Sequence, residues 1–407
     1  MVCQLVELRK CFKLANLRAE LGNLPKTLDA IYTRILKNVP SSHQREMKIV
    51  LEFLTFSTRP MTLQEVAEAT AVNLEKQAFG IDDRFREPYD LLAVCSSLVS
   101  LSPVPLDPQS PIRREGPYKY SFREFPPDVR MLQFAHFSVK EYVLSERARQ
   151  SLPSALIICE ALSHSHITQT CLIYLLDFSN GKKMSRFDHE EFPFLAYAAL
   201  HWATHLTSAT EERELIDALV VRLFDPENDH HLMNYLNLYN PIKPSHMSIQ
   251  GGKEINVGVV VNRNKRDFQP PIYYACYHGL RVVVKYLLSG DEKMRPSKEV
   301  MGSGLAAAAS QGYSDTVALL LKEGADPNSP YCGKFSRPLH AAASSGNPTV
   351  VRQLLEAGSL VNAQSSDGTA LNEAAEQGNP EVIQLLIDHG AELYTRGQYH
   401  GMLNPIH

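Results

Sequence analysis

The sequence has no Gly-x4-Gly-Lys-Ser/Thr segment, so nothing in it is spaced to aim backbone amides at the phosphates of a nucleotide. Gly251-Gly252-Lys253 comes nearest, but it lacks the upstream glycine and Glu254 follows, which suits a linker turn. Gly-x-Ser-x-Gly, the strained elbow of one large hydrolase class, is missing too; Gly302-Ser303-Gly304 has the wrong spacing. The seven cysteines include no Cys-x-x-Cys pair and are scattered, as reduced thiols of an intracellular protein are. No run approaches 18 apolar residues, which argues against a membrane-spanning helix. Glu7, Arg9 and Lys10 stand where a secretory signal is apolar. Neither sign of charge dominates: 41 basic against 45 acidic residues leave −4, with no global field toward nucleic acid or an anionic membrane.

What the chain does have is a period. Gly279, Gly312, Gly346 and Gly378 are spaced 33, 34 and 32 residues apart. Each is preceded by a small-residue pair (Ala275-Cys276, Ala308-Ala309, Ala342-Ala343, Ala374-Ala375) and followed by an aliphatic pair (Leu287-Leu288, Leu320-Leu321, Leu354-Leu355, Leu386-Ile387). Self-similarity at this length predicts stacked helical hairpins, each too small to bury its own apolar face. In Arg337-Pro338-Leu339-His340-Ala341-Ala342-Ala343, proline suits the first helical turn and the alanines admit a close neighbour. Gly346 then supplies a left-handed stop. These blocks resemble ankyrin repeats, whose signature is Thr-Pro-Leu-His-x-Ala. The match departs in letters: Pro270-Pro271-Ile272-Tyr273 opens the first, Ser303-Gly304-Leu305-Ala306 stands in for the signature in the second, Arg337 replaces Thr in the third, and the fourth has Thr369-Ala370-Leu371-Asn372. The Thr and His hydrogen bonds of the family are therefore expected to be partly absent.

Upstream, Leu28, Ile31, Tyr32, Ile35, Leu36 and Val39 recur at helical spacing before Pro40, and Met47 to Phe56 reads as a buried helix. Thr62-Leu63-Gln64-Glu65 and Ser138-Val139-Lys140-Glu141 read as capping boxes. A short helix over Tyr89–Ser97, a strand over Leu98–Leu101 and a partner strand over Met131–Phe137 complete a winged-helix pattern. Residues 103–129 hold seven of the 25 prolines and read as a disordered wing loop.

Leu24-Pro25-Lys26-Thr27-Leu28-Asp29, Cys95-Ser96-Ser97-Leu98-Val99-Ser100-Leu101 and Phe134-Ala135-His136-Phe137-Ser138-Val139-Lys140-Glu141-Tyr142 resemble the winged helix that follows the NTPase in fungal NACHT (STAND/NLR-like) signalling proteins. Glu191-Phe192-Pro193-Phe194-Leu195-Ala196-Tyr197-Ala198-Ala199 with Trp202 resembles the helical segment that comes next there. The resemblance covers about 1–225, and ankyrin arrays commonly follow in that family. It implies a mainly α chain, with a winged-helix domain carrying a small β-hairpin wing, a helical linker domain and a C-terminal ankyrin α-solenoid. The expected boundaries are 1–23 (end of a helical subdomain), 24–150 (winged helix), 151–240 (helical domain), 241–268 (linker), 269–396 (four ankyrin repeats) and 397–407, where Asn404-Pro405-Ile406-His407 reads as the start of a truncated fifth repeat. An NTPase domain is expected upstream in the full-length protein.

The implied function is a non-catalytic, cytoplasmic protein-binding scaffold, the regulatory and ligand-sensing part of such a protein, with no cofactor, no metal, no membrane and no nucleic acid. Partner contacts are expected at the two residues before each repeat glycine: Tyr277 and His278, Ser310 and Gln311, Ser344 and Ser345, Glu376 and Gln377. The connecting turns add Tyr331, Phe335 and Asp367, and Tyr277 is the expected hot spot. Two alternatives belong to other classes. A winged-helix DNA-binding adaptor needs base-reading side chains, yet Asp90-Leu91-Leu92-Ala93-Val94-Cys95-Ser96-Ser97 offers none. A hydrolase with an unrecognised site would need a constellation such as Cys159, His164, His166 and Cys171, whose spacing matches no common zinc site, or His201 and His205, which lack a following Glu and flank Trp202.

Overall fold

The computed structural model describes residues 27–95, 97–103, 130–178, 191–238, 268–290, 295–330, 337–365 and 368–393. The wing loop 104–129, most of the linker, Tyr331, Phe335, Asp367 and the segment 397–407 lie outside the described residues. The described part is mainly helical. Residues up to Leu219, with Asn237 and Leu238, form one compact unit; Val220–Leu236 and the residues from 268 on form a second. The 151–240 segment expected as one helical domain is thus divided between the two.

In the first unit, α1 (Leu28–Lys37) starts at Thr27, whose hydroxyl accepts the Ala30 amide at 3.2 Å, and it buries Tyr32 and Leu36. Helix α2 (Gln44–Phe56) buries most of its length, as its sequence predicts. Strand β1 (Met61–Thr62) leads into α3 (Leu63–Ala69). The capping box there is complete: Thr62 Oγ1 accepts the Glu65 amide at 3.1 Å, and Glu65 Oε2 accepts the Thr62 amide at 2.8 Å. A small hairpin of β2 (Val72–Asn73) and β3 (Ala78–Phe79) follows, turning through Gln77 at φ 49°. Next come α4 (Leu91–Cys95), β4 (Val99–Pro103) and β5 (Arg130–Phe134).

Strands β4 and β5 pair antiparallel, with Leu101 opposite Leu132, and β1 adds to the other edge of β5. The order is β1-β5-β4. The third strand was not foreseen, because two residues carry no readable alternation. The chain then forms α5 (Phe137–Val143), α6 (Glu146–Ser151), α7 (Glu160–Phe178), α8 (Leu195–Ser208), α9 (Arg213–Leu223) and α10 (His230–Leu238). The expected capping box at Ser138 is corrected: α5 starts one residue before it. His136 is the N-cap, its Nδ1 accepting the Ser138 amide at 3.2 Å, while the Ser138 hydroxyl is taken by Tyr32 at 2.8 Å. An imidazole acceptor can cap as a hydroxyl does, and β5 accordingly ends earlier than expected, at Phe134.

The second unit contains four helix pairs: α11 (Pro271–Tyr277) with α12 (Arg281–Ser289), α13 (Lys298–Ser310) with α14 (Ser314–Lys322), α15 (Pro338–Ser345) with α16 (Pro348–Glu356), and α17 (Ala370–Gln377) with α18 (Pro380–Asp388). The first helices of successive pairs pack side by side along the array. All four period-marking glycines are left-handed, at φ 68°, 74°, 70° and 67°. On α16 the predicted face of Val350, Val351, Leu354 and Leu355 is buried. Val382 and Leu386 are also fully buried, and Ile387 is the member of the last aliphatic pair left exposed.

The second repeat departs from expectation. Its first helix begins at Lys298, capped by Ser297, so Ser303-Gly304-Leu305-Ala306 lies mid-helix and not at a helix start. Two glycines there allow close approach. A Cβ at Gly302 would sit 2.2 Å from Ser329 Cβ, and one at Gly304 would sit 3.1 Å from Cys276 Sγ.

Candidate functional site

Because α11, α13, α15 and α17 stack in register, the residues that precede each repeat glycine fall into one file along the array. Within it the side chains differ in availability. Tyr277 is half-buried, its ring parallel to Tyr273 at 6.3 Å and edge-on to His278 at 5.4 Å. His278 Nε2 lies 3.1 Å from the Tyr235 hydroxyl. The residue as a whole is half-buried, yet enclosure of its ring pushes the imidazole down to about 4. Both residues are therefore part of the packing at this end of the unit.

Ser310 and Ser345 turn their hydroxyls back onto their own helices, donating to the carbonyls of Ala307 and Ala342 at 2.8 Å. Ser344 is half-buried, while Gln311, Glu376 and Gln377 are exposed. The exposed members of the file are thus two amides and a carboxylate, suited to hydrogen bonding with a polar partner and not to covalent chemistry.

The repeats are tied together by a ladder that sequence reasoning missed. Asn347 Nδ2 donates to Gly312 O at 2.9 Å while its Oδ1 accepts the Thr349 amide at 3.0 Å. One repeat on, Asn379 does the same to Gly346 O and the Val382 amide. Asn328 and Asn362 reach Gly358 O and Gly390 O at 2.9 and 3.0 Å. The signal was the Asn that directly follows two of the glycines. At Gly279 the ladder has no Asn; the ring of Tyr313 covers that glycine instead. His340 Nε2 meets Gly368 O at 3.2 Å, and Thr369 caps α17 with Asn372 closing the box. The family's hydrogen bonds are therefore kept where the letters are kept.

The first unit holds the dense polar chemistry. His205 is fully buried on α8, its Nδ1 2.8 Å from His164 Nδ1 on α7 and its Nε2 2.8 Å from the Tyr197 hydroxyl. His166 Nδ1 lies 2.8 Å from Glu52 Oε1, which also accepts from Ser163. Glu68 accepts from Tyr174 at 2.6 Å and pairs with Arg84. Burial raises the Glu68 carboxyl above its ordinary range, and these partners oppose the shift. Of the rejected zinc ligands, Cys159 is exposed and Cys171 buried, and each of the two histidines already has a side-chain partner. Spacing put His201 and His205 one turn apart, but nothing in it paired His205 with His164, 41 residues away. Among the described residues no helix is long and apolar enough to cross a membrane.

Comparison with known families matches residues 305–396 to ankyrin repeats, in three copies. Residues 305–396 are ankyrin repeats. The helix pair before them, α11 and α12, has the same glycine geometry. Among curated proteins the chain is similar to azaphilone pigments biosynthesis cluster protein L of Monascus ruber, 29% identical over 316 residues. That alignment takes in 75% of this chain and 61% of the relative, so the chain spans less than two thirds of its length. Caskin-2 of Homo sapiens is 48% identical over 54 residues, 13% of this chain and 4% of that protein.

Proposed function

We propose that the chain is a non-catalytic protein-binding scaffold whose ankyrin repeats hold a protein partner, and that it is the regulatory, ligand-sensing portion of a cytoplasmic NACHT–ankyrin signalling protein with an NTPase domain upstream. The observation that carries the binding role is the in-register file of Gln311, Glu376 and Gln377 on a rigidly laddered array. The winged-helix reading of the first unit is supported by the antiparallel sheet in the order β1-β5-β4, with helices α1 to α4 preceding its last two strands. A scaffold suits this sheet better than a DNA reader does. Helix α4 has five residues, and Leu92, Ala93 and Val94 are its solvent-facing side chains; none can hydrogen-bond a base edge.

A partner captured from extract with the full chain tests the binding role. Gln311→Ala with Gln377→Ala should weaken capture while leaving the fold intact. Retained capture, together with loss on substitution in the first unit, would move the binding surface there. Because the sequence lacks a phosphate loop, titration with Mg-ATP should show no stoichiometric binding to this chain.

A further inference from the structure

We propose that Tyr197, His205 and His164 form a proton-directed lock between α7 and α8 that opens on acidification. The direction of each hydrogen bond follows from the fixed donor at one end. The Thr58 amide donates to the Tyr197 oxygen at 3.3 Å, so the phenol's own proton is directed to His205 Nε2 at 2.8 Å. A neutral His205 whose Nε2 accepts carries its proton on Nδ1 and donates it to His164 Nδ1 at 2.8 Å. His164 is then protonated on Nε2. Two imidazole Nδ1 atoms in hydrogen-bond contact tolerate one proton between them. A proton added at His164 Nδ1 sets N–H against N–H and breaks that link, and one added at His205 Nε2 sets N–H against the Tyr197 O–H.

The surroundings favour the neutral state. Phe53 and Phe56 of α2 pack on Tyr197 and His164, at 5.9 and 5.2 Å. The guanidinium of Arg59 lies 5.1 Å over the Tyr197 ring, and the His201 ring lies tilted against that ring at 4.7 Å. Cys171 also faces Tyr197. Burial pushes His205 down to about 3, helped by His164, and lowers His164 as well; the carboxylate of Glu160 pulls His164 the other way. A histidine lowered in the fold contributes stability that is whole above its unfolded value, about 6.5. That contribution is lost as pH falls toward the folded value.

The chain's one tryptophan, Trp202, is fully buried on α8 between the two histidines of that helix, so its fluorescence reports on this unit. In the full chain with 15N-histidine, long-range proton–nitrogen spectra near neutral pH should show His205 protonated on Nδ1 and His164 on Nε2. Urea unfolding followed at Trp202 should give an unfolding constant that rises about tenfold per pH unit below about 6.5 for each proton taken up. His164→Gln keeps an acceptor for His205 but no charge, and should flatten that slope by one proton. Protonation of His205 on Nε2, or an unchanged slope in His164→Gln, overturns the lock. The spectrum of the unsubstituted chain decides the matter should the variant fail to fold.

Discussion

Asn379 donates its side-chain amide to the main-chain carbonyl of Gly346, one repeat earlier, at 2.6 Å. The same side chain accepts the Val382 amide at 3.2 Å, so one residue caps α18 and ties it to the preceding repeat. Asn379→Ala removes a cap and an inter-repeat hydrogen bond together, and should lower the stability of the array by about 1–3 kcal/mol. Urea unfolding of the repeat unit measures it. A loss no larger than that of an exposed surface substitution would show that the ladder is decorative.

Gly302 lies inside α13, where alanine is intrinsically favoured by about 1 kcal/mol. The added methyl would meet Ser329 Cβ at 2.2 Å, in a residue that is itself buried. Packing should outweigh propensity. Gly302→Ala is expected to destabilise the array by about 1–3 kcal/mol, and Gly302→Ala with Ser329→Gly should recover most of that loss. A more stable single variant would mean that the contact relaxes freely.

Helix faces and the repeat period were legible because they depend on spacing alone: Val350, Val351, Leu354 and Leu355 are buried as their positions predict. The Thr62 capping box was legible for the same reason, being local. What sequence did not show is non-local or very short. His164 finds His205 only once α7 and α8 pack, and β1 exists only because β5 offers it an edge. Ser138 looked like a cap because its letters fit; the extended backbone of His136 at φ −155° put the helix start a residue earlier than Ser138. Among the predicted contact residues, Gln311, Glu376 and Gln377 are exposed, whereas Tyr277 and His278 are engaged within their own unit.

The second unit should have its own acid sensitivity. Burial pushes His278 down to about 4, and His231 is lowered to about 4, mainly by burial. Each binds its proton more readily unfolded than folded. Their stabilising contribution is complete above about pH 6.5 and is lost as pH falls toward 4. His278→Gln, which can still meet the Tyr235 hydroxyl, should make unfolding of the repeats less dependent on pH in that window. Equal pH dependence with and without the substitution would count against an enclosed neutral ring.

Glu65 holds three groups at once. Its carboxylate accepts the Thr62 amide at 2.8 Å, closing the cap of α3, and receives both terminal nitrogens of Arg59, at 3.0 and 2.5 Å. Arg59 in turn lies over the ring of Tyr197. The carboxylate is nearly buried while the guanidinium is about one-fifth open to solvent, so screening reduces the pair below a fully enclosed one. Glu65→Ala is therefore expected to destabilise the first unit by about 2–3 kcal/mol, less than the loss from breaking a fully buried pair. Glu65→Gln keeps an acceptor for the Thr62 amide and should lose clearly less. Trp202 fluorescence during urea unfolding separates the two variants. If they behave alike, the charge of Glu65, and not its capping bond, is what the fold uses.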